Sequence, residues 1–370
     1  MKVLASISRI IIGLVFIFSG FVKSVDPYGT AYKIEEYLNV FGLNSLVNSL
    51  DWLPIVSSII LCSLEFVIGI MLVSFIFRKY VNWITILMMS FFTVLTFIDA
   101  LTNKVSDCGC FGDAVVLTNW ETFFKNVIID ILLVIAVIFD KRETQNKLER
   151  LYSNTFTILV IVFVLIFSIY NSVYEPMVDF RAWKIGNRIV PSIEDQKPPI
   201  SYVEYKNNKT SEIKEFDMDE LMLAYQNDTA FAENWTFVNS RVVDFNKVNA
   251  DGFSMQGYNS TGDEALSILS SKDTLYLITI PFLDDVCPRS IEVVKGLYSK
   301  TNSLGQSAYI LTATSQTRWE EWQRKNDLED AILYSSDDKA IKTIMRSSPG
   351  IVMMSDGVVL DKWSWRLYSN

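Results

Sequence analysis

The chain has 370 residues, 33 Lys and Arg against 42 Asp and Glu, a formal net charge of −9, four cysteines and no histidine. The missing His excludes imidazole as base, nucleophile partner or metal ligand, so Ser-His-Asp catalysis, Cys-His catalysis and His-bound zinc are ruled out. An acidic balance without any basic stripe argues against nucleic acid as a partner.

A positive mean hydropathy in a chain that is 50% hydrophobic means that the apolar residues are unevenly placed. They concentrate in residues 1–175, while 176–370 has the turn residues and mixed polarity of a water-soluble domain. A bilayer core is spanned by about 20 apolar helical residues, because hydrocarbon tolerates no unsatisfied backbone group. Segments 3–22, 53–77, 81–101, 123–139 and 155–173 meet or approach that length, with Trp52, Trp83, Trp120, Tyr152 and Tyr170 near their ends as interfacial anchors. The first opens Met-Lys like an export signal, but Arg9 interrupts it and no small-x-small cleavage site follows, so it reads as a retained helix.

Basic residues set the expected orientation. Lys2 and Arg9 mark the amino end, Arg78 and Lys79 the second turn, and Lys141, Arg142, Lys147 and Arg150 the link after the fourth segment. The opposite loops are poor in basic residues, with Lys33 in one and Lys104 in the other. The amino end is therefore expected in the cytoplasm, and five crossings put 174–370 outside, facing the same compartment as the loop 102–121.

That loop reads Asp107-Cys108-Gly109-Cys110-Phe111-Gly112-Asp113. Two thiols separated by one glycine sit where disulfides persist, and a strained Cys-x-Cys bridge is easier to reduce, which suits an exchanger. A structural clasp remains open as a reading. So does a metal clip using Asp107 and Asp113, although without His such a site would be unusual and no metal is expected.

The string Cys108-Gly109-Cys110-Phe111-Gly112 between the third and fourth segments resembles the MauE family of methylamine-utilisation membrane proteins. The opening run Arg9, Phe18-Ser19-Gly20-Phe21-Val22-Lys23 and Asp26-Pro27 is similar to the related DoxX type. The resemblance covers roughly residues 1–140. It implies a four-helix membrane bundle, similar in outline to that of vitamin K epoxide reductase, and a role in disulfide formation or maturation of exported proteins. It does not carry over the amine pathway.

Farther along, a strand-like run at 275–281 leads to Cys287-Pro288-Arg289-Ser290 and a helical pattern at 291–298. A cysteine at a helix start meets backbone N–H groups and the positive end of the dipole, which favour thiolate. A strand at 308–312, helices near 319–325 and 338–345, and a hairpin at 351–363 turning on Asp356-Gly357 follow. The order resembles a thioredoxin-like fold over about the last 100 residues, and implies a cis proline facing the reactive cysteine, a place that Pro349 matches. Ser290 departs from that pattern, which usually has a second Cys there. A lone thiol forms a mixed disulfide without resolving it. An internal relay with Cys108 and Cys110, a degenerate binding domain and an inert Cys287 all stay open.

Within the segments, Glu65 and Asp130 fall near helix centres, where a carboxylate costs about 2.5–3.5 kcal/mol to insert. Cys62 precedes Glu65 by three residues on a similar face. These three residues form a speculative quinone or proton site, although packing accounts for Cys62 equally well. Lys23 and Asp99 belong near the outer boundary, either paired with each other or snorkelled into water. Arg9 reads as an inner-face anchor.

The expected architecture is a membrane all-α helical bundle (1–150) with a fifth membrane helix (151–175), a linker and β-rich lead-in (176–270) with its strand pair at 235–245, and an α/β thioredoxin-like domain (271–370). The expected function is that of a multi-pass protein of the bacterial inner membrane, in which Cys108, Cys110, Cys287 and Pro349 perform thiol–disulfide exchange on exported clients. Its partners are those clients and the lipid bilayer, and a quinone is the candidate carrier. A non-catalytic assembly factor and a membrane subunit of a quinone-linked oxidoreductase are the competing readings.

Overall fold

The computed structural model describes residues 2–43, 45, 49–105, 108–139, 147–228, 230–243, 246, 248–250, 252–258, 260 and 262–368. The chain divides into two units, Met1–Arg181 and Ala182–Asn370.

The first unit contains α1 (Lys2–Val25), α2 (Pro27–Val40), α3 (Leu53–Val73), α4 (Arg78–Thr102), α5 (Asn119–Ile138) and α6 (Lys147–Val173). Among the described residues, Val3–Val25, α3, α4 and Leu148–Val173 are long and apolar enough to cross a membrane. Helix α5 has 20 residues but carries Glu121, Lys125 and Asp130. Side chains such as Leu87, Phe91, Ile128 and Leu159 point outward and are exposed, the inversion that a hydrocarbon solvent favours. The interior is apolar too, with Ile12, Phe16, Ile68, Leu72, Met89, Ile129 and Leu133 in one cluster. Helices α1 and α3 come so close that a Cβ at Gly69 would lie 2.6 Å from the Ile17 nitrogen, the small-residue contact that lets membrane helices pack backbone to backbone.

Several boundaries differ from the sequence expectation. Helix α2 lies in what reads as a loop; the Asp26 carboxylate accepts from the Gly29 N–H and Pro27 fits the first turn. Helix α3 stops at Val73, and Phe75 and Phe77 beyond it take left-handed φ of 57° and 46°. Helix α5 starts early because Thr118 and Glu121 form a reciprocal capping box. Helix α6 takes in Arg150, while Lys141 and Arg142 lie outside the described residues. Arg9 is not a solvated anchor. It is buried, its Nε donates to the Leu72 carbonyl at 3.1 Å and its Nη1 to Asn82 Oδ1 at 2.6 Å, tying α1 to the end of α3 and to α4.

The second unit has two sheets. In the smaller, β1 (Ile200–Asn207), β2 (Ile213–Asp217) and β3 (Trp235–Val243) run antiparallel in the order β2-β1-β3, with α7 (Met218–Asn227) and α8 (Phe231–Asn234) between β2 and β3. The strand pair expected at 235–245 is thus a single strand paired with β1; Phe245 lies outside the described residues. After α9 (Ala265–Leu269) come β4 (Leu275–Thr279), α10 (Pro288–Leu304), β5 (Ser307–Thr312), α11 (Trp319–Lys325), β6 (Ile332–Ser335), α12 (Asp338–Ile344), β7 (Gly350–Ser355) and β8 (Val358–Ser364).

The larger sheet has the order β6-β5-β4-β7-β8, with β4, β5 and β6 parallel and β7 and β8 antiparallel additions. A parallel strand–helix–strand core closed by a hairpin is a thioredoxin-like arrangement. Strand alternation puts Leu275 and Leu277 into the core on one face and Tyr276 and Ile278 into that on the other. Trp183, Ile189, Val190, Phe253 and Met255, which precede the sheet in sequence, pack into the first of these cores.

Candidate thiol site

The loop between α4 and α5 is held at its base by Asn119, whose Nδ2 donates to the Val105 carbonyl at 3.0 Å. Gly109 and Gly112 take φ of +63° and +51°, conformations that favour glycine. The turn they make brings Cys108 Sγ and Cys110 Sγ to 3.2 Å, within a thiol–thiol hydrogen bond. Phe111 anchors the far side, its ring 5.4 Å from that of Phe18 and 4.5 Å from Lys125 Nζ. The Ser19 hydroxyl lies 2.7 Å from the Cys110 carbonyl oxygen and 2.7 Å from Glu65 Oε2.

Both thiols are half-buried and face a cavity of about 390 Å³ inside the bundle. Its walls are mostly apolar, with Phe16, Leu61, Met89, Phe92, Leu95 and Ile129, and its polar lining includes Ser19, Lys23, Tyr37, Glu65, Lys125 and Asn126. Lys23 Nζ sits 2.8 Å and 3.0 Å from the two Glu65 carboxylate oxygens, with both side chains buried. The hydrogen bond from Cys108 pulls the Cys110 pKa down to about 6 against burial, and the Lys125 and Lys23 cations add to the effect. The same contact, with burial, holds Cys108 well above the ordinary thiol range. The shared hydrogen bond therefore makes the pair give up its first proton more readily than its second.

In the second unit, Cys287 is exposed and caps the start of α10, with Pro288 at the first helical position. Its Sγ is 3.5 Å from Ser290 Oγ, and the fully buried Ser290 hydroxyl donates to the Cys287 carbonyl at 2.8 Å. The Ser290 hydroxyl lowers the Cys287 pKa, and the N–H groups of Ser290 and Arg289 at the helix start contribute, against weak desolvation. The Ser348–Pro349 peptide is cis and leads directly into β7.

Residues 1–139 match the family described as methylamine utilisation protein MauE. The bundle is MauE-like. The chain is also 27% identical over 194 residues to Protein TlpB of Flavobacterium psychrophilum, a match over 51% of this chain and 50% of that protein. The chain thus spans about half the length of this curated relative. A solved structure, described as the C-terminal domain of a proposed thiol-disulfide oxidoreductase from Bacteroides thetaiotaomicron, overlaps 30% of this chain and 83% of its own at 14% identity, with a TM-score of 0.26. At that score the overlap adds nothing to the strand order, which defines the fold by itself.

In the MauE-like unit, the residues singled out by sequence are distributed as follows. Cys108, Cys110 and Glu65 line one cavity; Cys62 and Asp130 are not among its lining residues. Cys62 is buried 3.8 Å from Ser58 Oγ and from Thr30 Oγ1, and Asp130 accepts from Thr93 Oγ1 at 2.7 Å. Lys23 and Asp99 are neither paired with each other nor snorkelled. Lys23 reaches Glu65 across the α1–α3 contact, and Asp99 accepts from the Tyr37 hydroxyl at 2.5 Å. Burial explains the change, since a desolvated charge needs the opposite partner on the helix packed against it. Asp107, a candidate metal ligand, lies outside the described residues, among which no cluster of three or more His, Cys, Asp or Glu could hold a metal. Sequence reading missed Tyr37, Ser19 and Lys125. The available signal was the four-residue spacing of Ser19 and Lys23, which puts both on one face of α1.

Proposed function

We propose that this MauE-like protein is a membrane thiol–disulfide redox protein that supports disulfide formation or maturation of exported proteins. The observation that carries this reading is the pair of sulfurs 3.2 Å apart, one of them acidic, at the wall of an apolar cavity. Withdrawing an electron pair joins Cys108 to Cys110 and releases the one proton that the monoanionic pair still holds. A client thiolate then attacks that bond, forming a mixed disulfide and freeing one loop thiolate; the client's second thiolate displaces the other, so the client leaves oxidised and the pair reduced.

The cavity suits a quinone as the electron carrier. Its walls match an apolar ring, and Lys23 and Lys125 are the residues that would hold the oxygens. Such a group would take up an electron pair and two protons. In this reading α5 crosses the membrane with the four apolar helices, and the basic residues Lys2, Arg9, Arg78 and Lys79 support a cytoplasmic amino end, which puts the thiol loop and the second unit on the extracytoplasmic side of a bacterial inner membrane. Cys287, activated at its helix start, then serves as attacking thiol toward clients, with Pro349 beside the substrate.

The test is a trap. Cys110→Ser in intact cells should accumulate a mixed disulfide through Cys108, seen as an adduct lost on reduction; no adduct together with unchanged client oxidation sinks the reading.

One observation favours a second role for the thioredoxin-like domain: a buried serine hydroxyl stands where a resolving thiol would be needed. In that role the domain holds clients without exchanging with them, and Cys287→Ser would leave both client capture and client oxidation unchanged.

A further inference from the structure

The thiol cavity reaches between α2 and α4. Ile34, Leu38 and Phe41 line it from α2, at the spacing of one helix face, and Phe91, Phe92 and Leu95 line it from α4. Helix α2 rests on α3 and is tied to α4 by the hydrogen bond from the Tyr37 hydroxyl to Asp99 Oδ2 at 2.5 Å. Asp99 belongs to the last turn of α4; Leu95 comes one turn deeper, and Phe92 and Phe91 two turns deeper. Beneath the tie, the two helices are therefore separated by a seam of cavity.

Depth and composition say what this seam faces. Helix α4 is long and apolar enough to cross a membrane, and Phe91 is close to its middle. Phe91 is 62% exposed and Phe41 55%, while Leu38 and Leu95 are half-buried. An opening walled by such side chains at that depth meets hydrocarbon. At the thiol turn the cavity is polar instead: Ser19 bonds the Cys110 carbonyl at 2.7 Å and Lys125 Nζ stands 4.5 Å from the Phe111 ring centre. A ligand matched to both ends has a polar head and an apolar tail. About 390 Å³ takes a ring with its substituents and leaves the far part of a long chain outside.

We propose that the seam between α2 and α4 is the tail site of a membrane-borne isoprenoid quinone, and the path by which the ring reaches the thiols sideways from the bilayer. The proposal deepens the redox reading and rests on it. Leu38 and Phe41 on α2 and Phe91 and Leu95 on α4 hold the tail, and Lys23 and Lys125 keep their place at the head. The Tyr37–Asp99 hydrogen bond spans the outer end of the seam and fixes the helix separation there. Chain inside the seam trades lipid contact for protein contact, and the remainder stays in lipid, so a long tail is accommodated at little cost. A cavity closed on this side would reject every chain longer than itself.

The experiment uses the full chain in phosphatidylcholine nanodiscs and two ubiquinones. One has a long isoprenoid tail with a diazirine in its second unit, and the other has no tail. Photo-crosslinks of the tailed quinone are mapped by mass spectrometry, and binding of the tailless one is read by equilibrium dialysis. Crosslinks should fall on Leu38 and Leu95, which quinone merely dissolved in lipid reaches poorly, and should disappear with excess tailless quinone. Leu95→Trp fills the seam, so crosslinking at limiting quinone should drop about tenfold while the tailless quinone binds as before. The wild-type map decides the matter alone if Leu95→Trp does not fold.

Crosslinks that the tailless quinone displaces, but that lie on the thiol turn or on α1, overturn the proposal and leave the quinone reading standing. Unchanged crosslinking in a folded Leu95→Trp protein, or equal loss of both quinones there, overturns it as well. Binding of neither quinone to the wild type sinks the quinone reading and this proposal together.

Discussion

Lys23 Nζ lies 2.8 Å from Glu65 Oε1 with both side chains buried, so this cation, which lines the cavity of the thiol pair, is held by a carboxylate and not by water. Breaking a buried pair on one side leaves an uncompensated charge, which costs about 3–5 kcal/mol. Glu65→Gln should lower thermal stability in detergent by that order, and Lys23→Met combined with Glu65→Leu should recover most of it. A Glu65→Gln protein that melts with the wild type contradicts this.

Alkylation of Cys110 follows its thiolate. With a pKa of about 6, labelling by iodoacetamide should be near its maximum at neutral pH and fall about tenfold per pH unit below about pH 6. A nearby cation favours the thiolate, so removing one lets the thiol keep its proton to higher pH. Lys125→Met should therefore move the labelling curve upward in pH. A wild-type midpoint at the ordinary thiol value of about 8.5 would refute the assignment.

The α1–α3 contact leaves no room for a side chain at Gly69, where an added Cβ would meet the Ile17 nitrogen at 2.6 Å. Because the obstacle is backbone, the helices must separate. Gly69→Ala should cost about 1–3 kcal/mol and Gly69→Leu should abolish the folded bundle, read as loss of a single elution peak in detergent. Full retention of both would show that the helices do not approach so closely.

Ser290 Oγ stands 3.5 Å from Cys287 Sγ. Ser290→Cys should restore a resolving thiol, so that mild oxidation protects both residues from alkylation and mixed disulfides at Cys287 become short-lived. If both thiols still label after oxidation, the helix start does not present them to each other.

The long apolar stretches, the Cys108-Gly109-Cys110 turn and the strand and helix order after Cys287 were legible because each is a local pattern in the sequence. Helix α2 was not read, although Asp26-Pro27 is a start signal, because its 14 residues are amphipathic and fall in a stretch expected to be a loop. With it went Tyr37 and Lys33, which face the cavity only because the helix folds back over the bundle. The partner of Lys23 was equally hidden. By depth Asp99, near the outer boundary with Lys23, is the expected partner, and it is the packing of α1 on α3 that selects Glu65 instead. Strand β6 has four residues, too few to show an alternation.

Ser19 has one hydroxyl hydrogen and two oxygens waiting for it, each 2.7 Å away, on Glu65 and on the Cys110 carbonyl. The two compete, and the tether on the turn is made only part of the time. Whatever draws the hydroxyl to one acceptor releases it from the other. The grip on the sulfur-bearing turn is thereby linked to the buried ion pair one helix away, because Lys23 holds the same carboxylate.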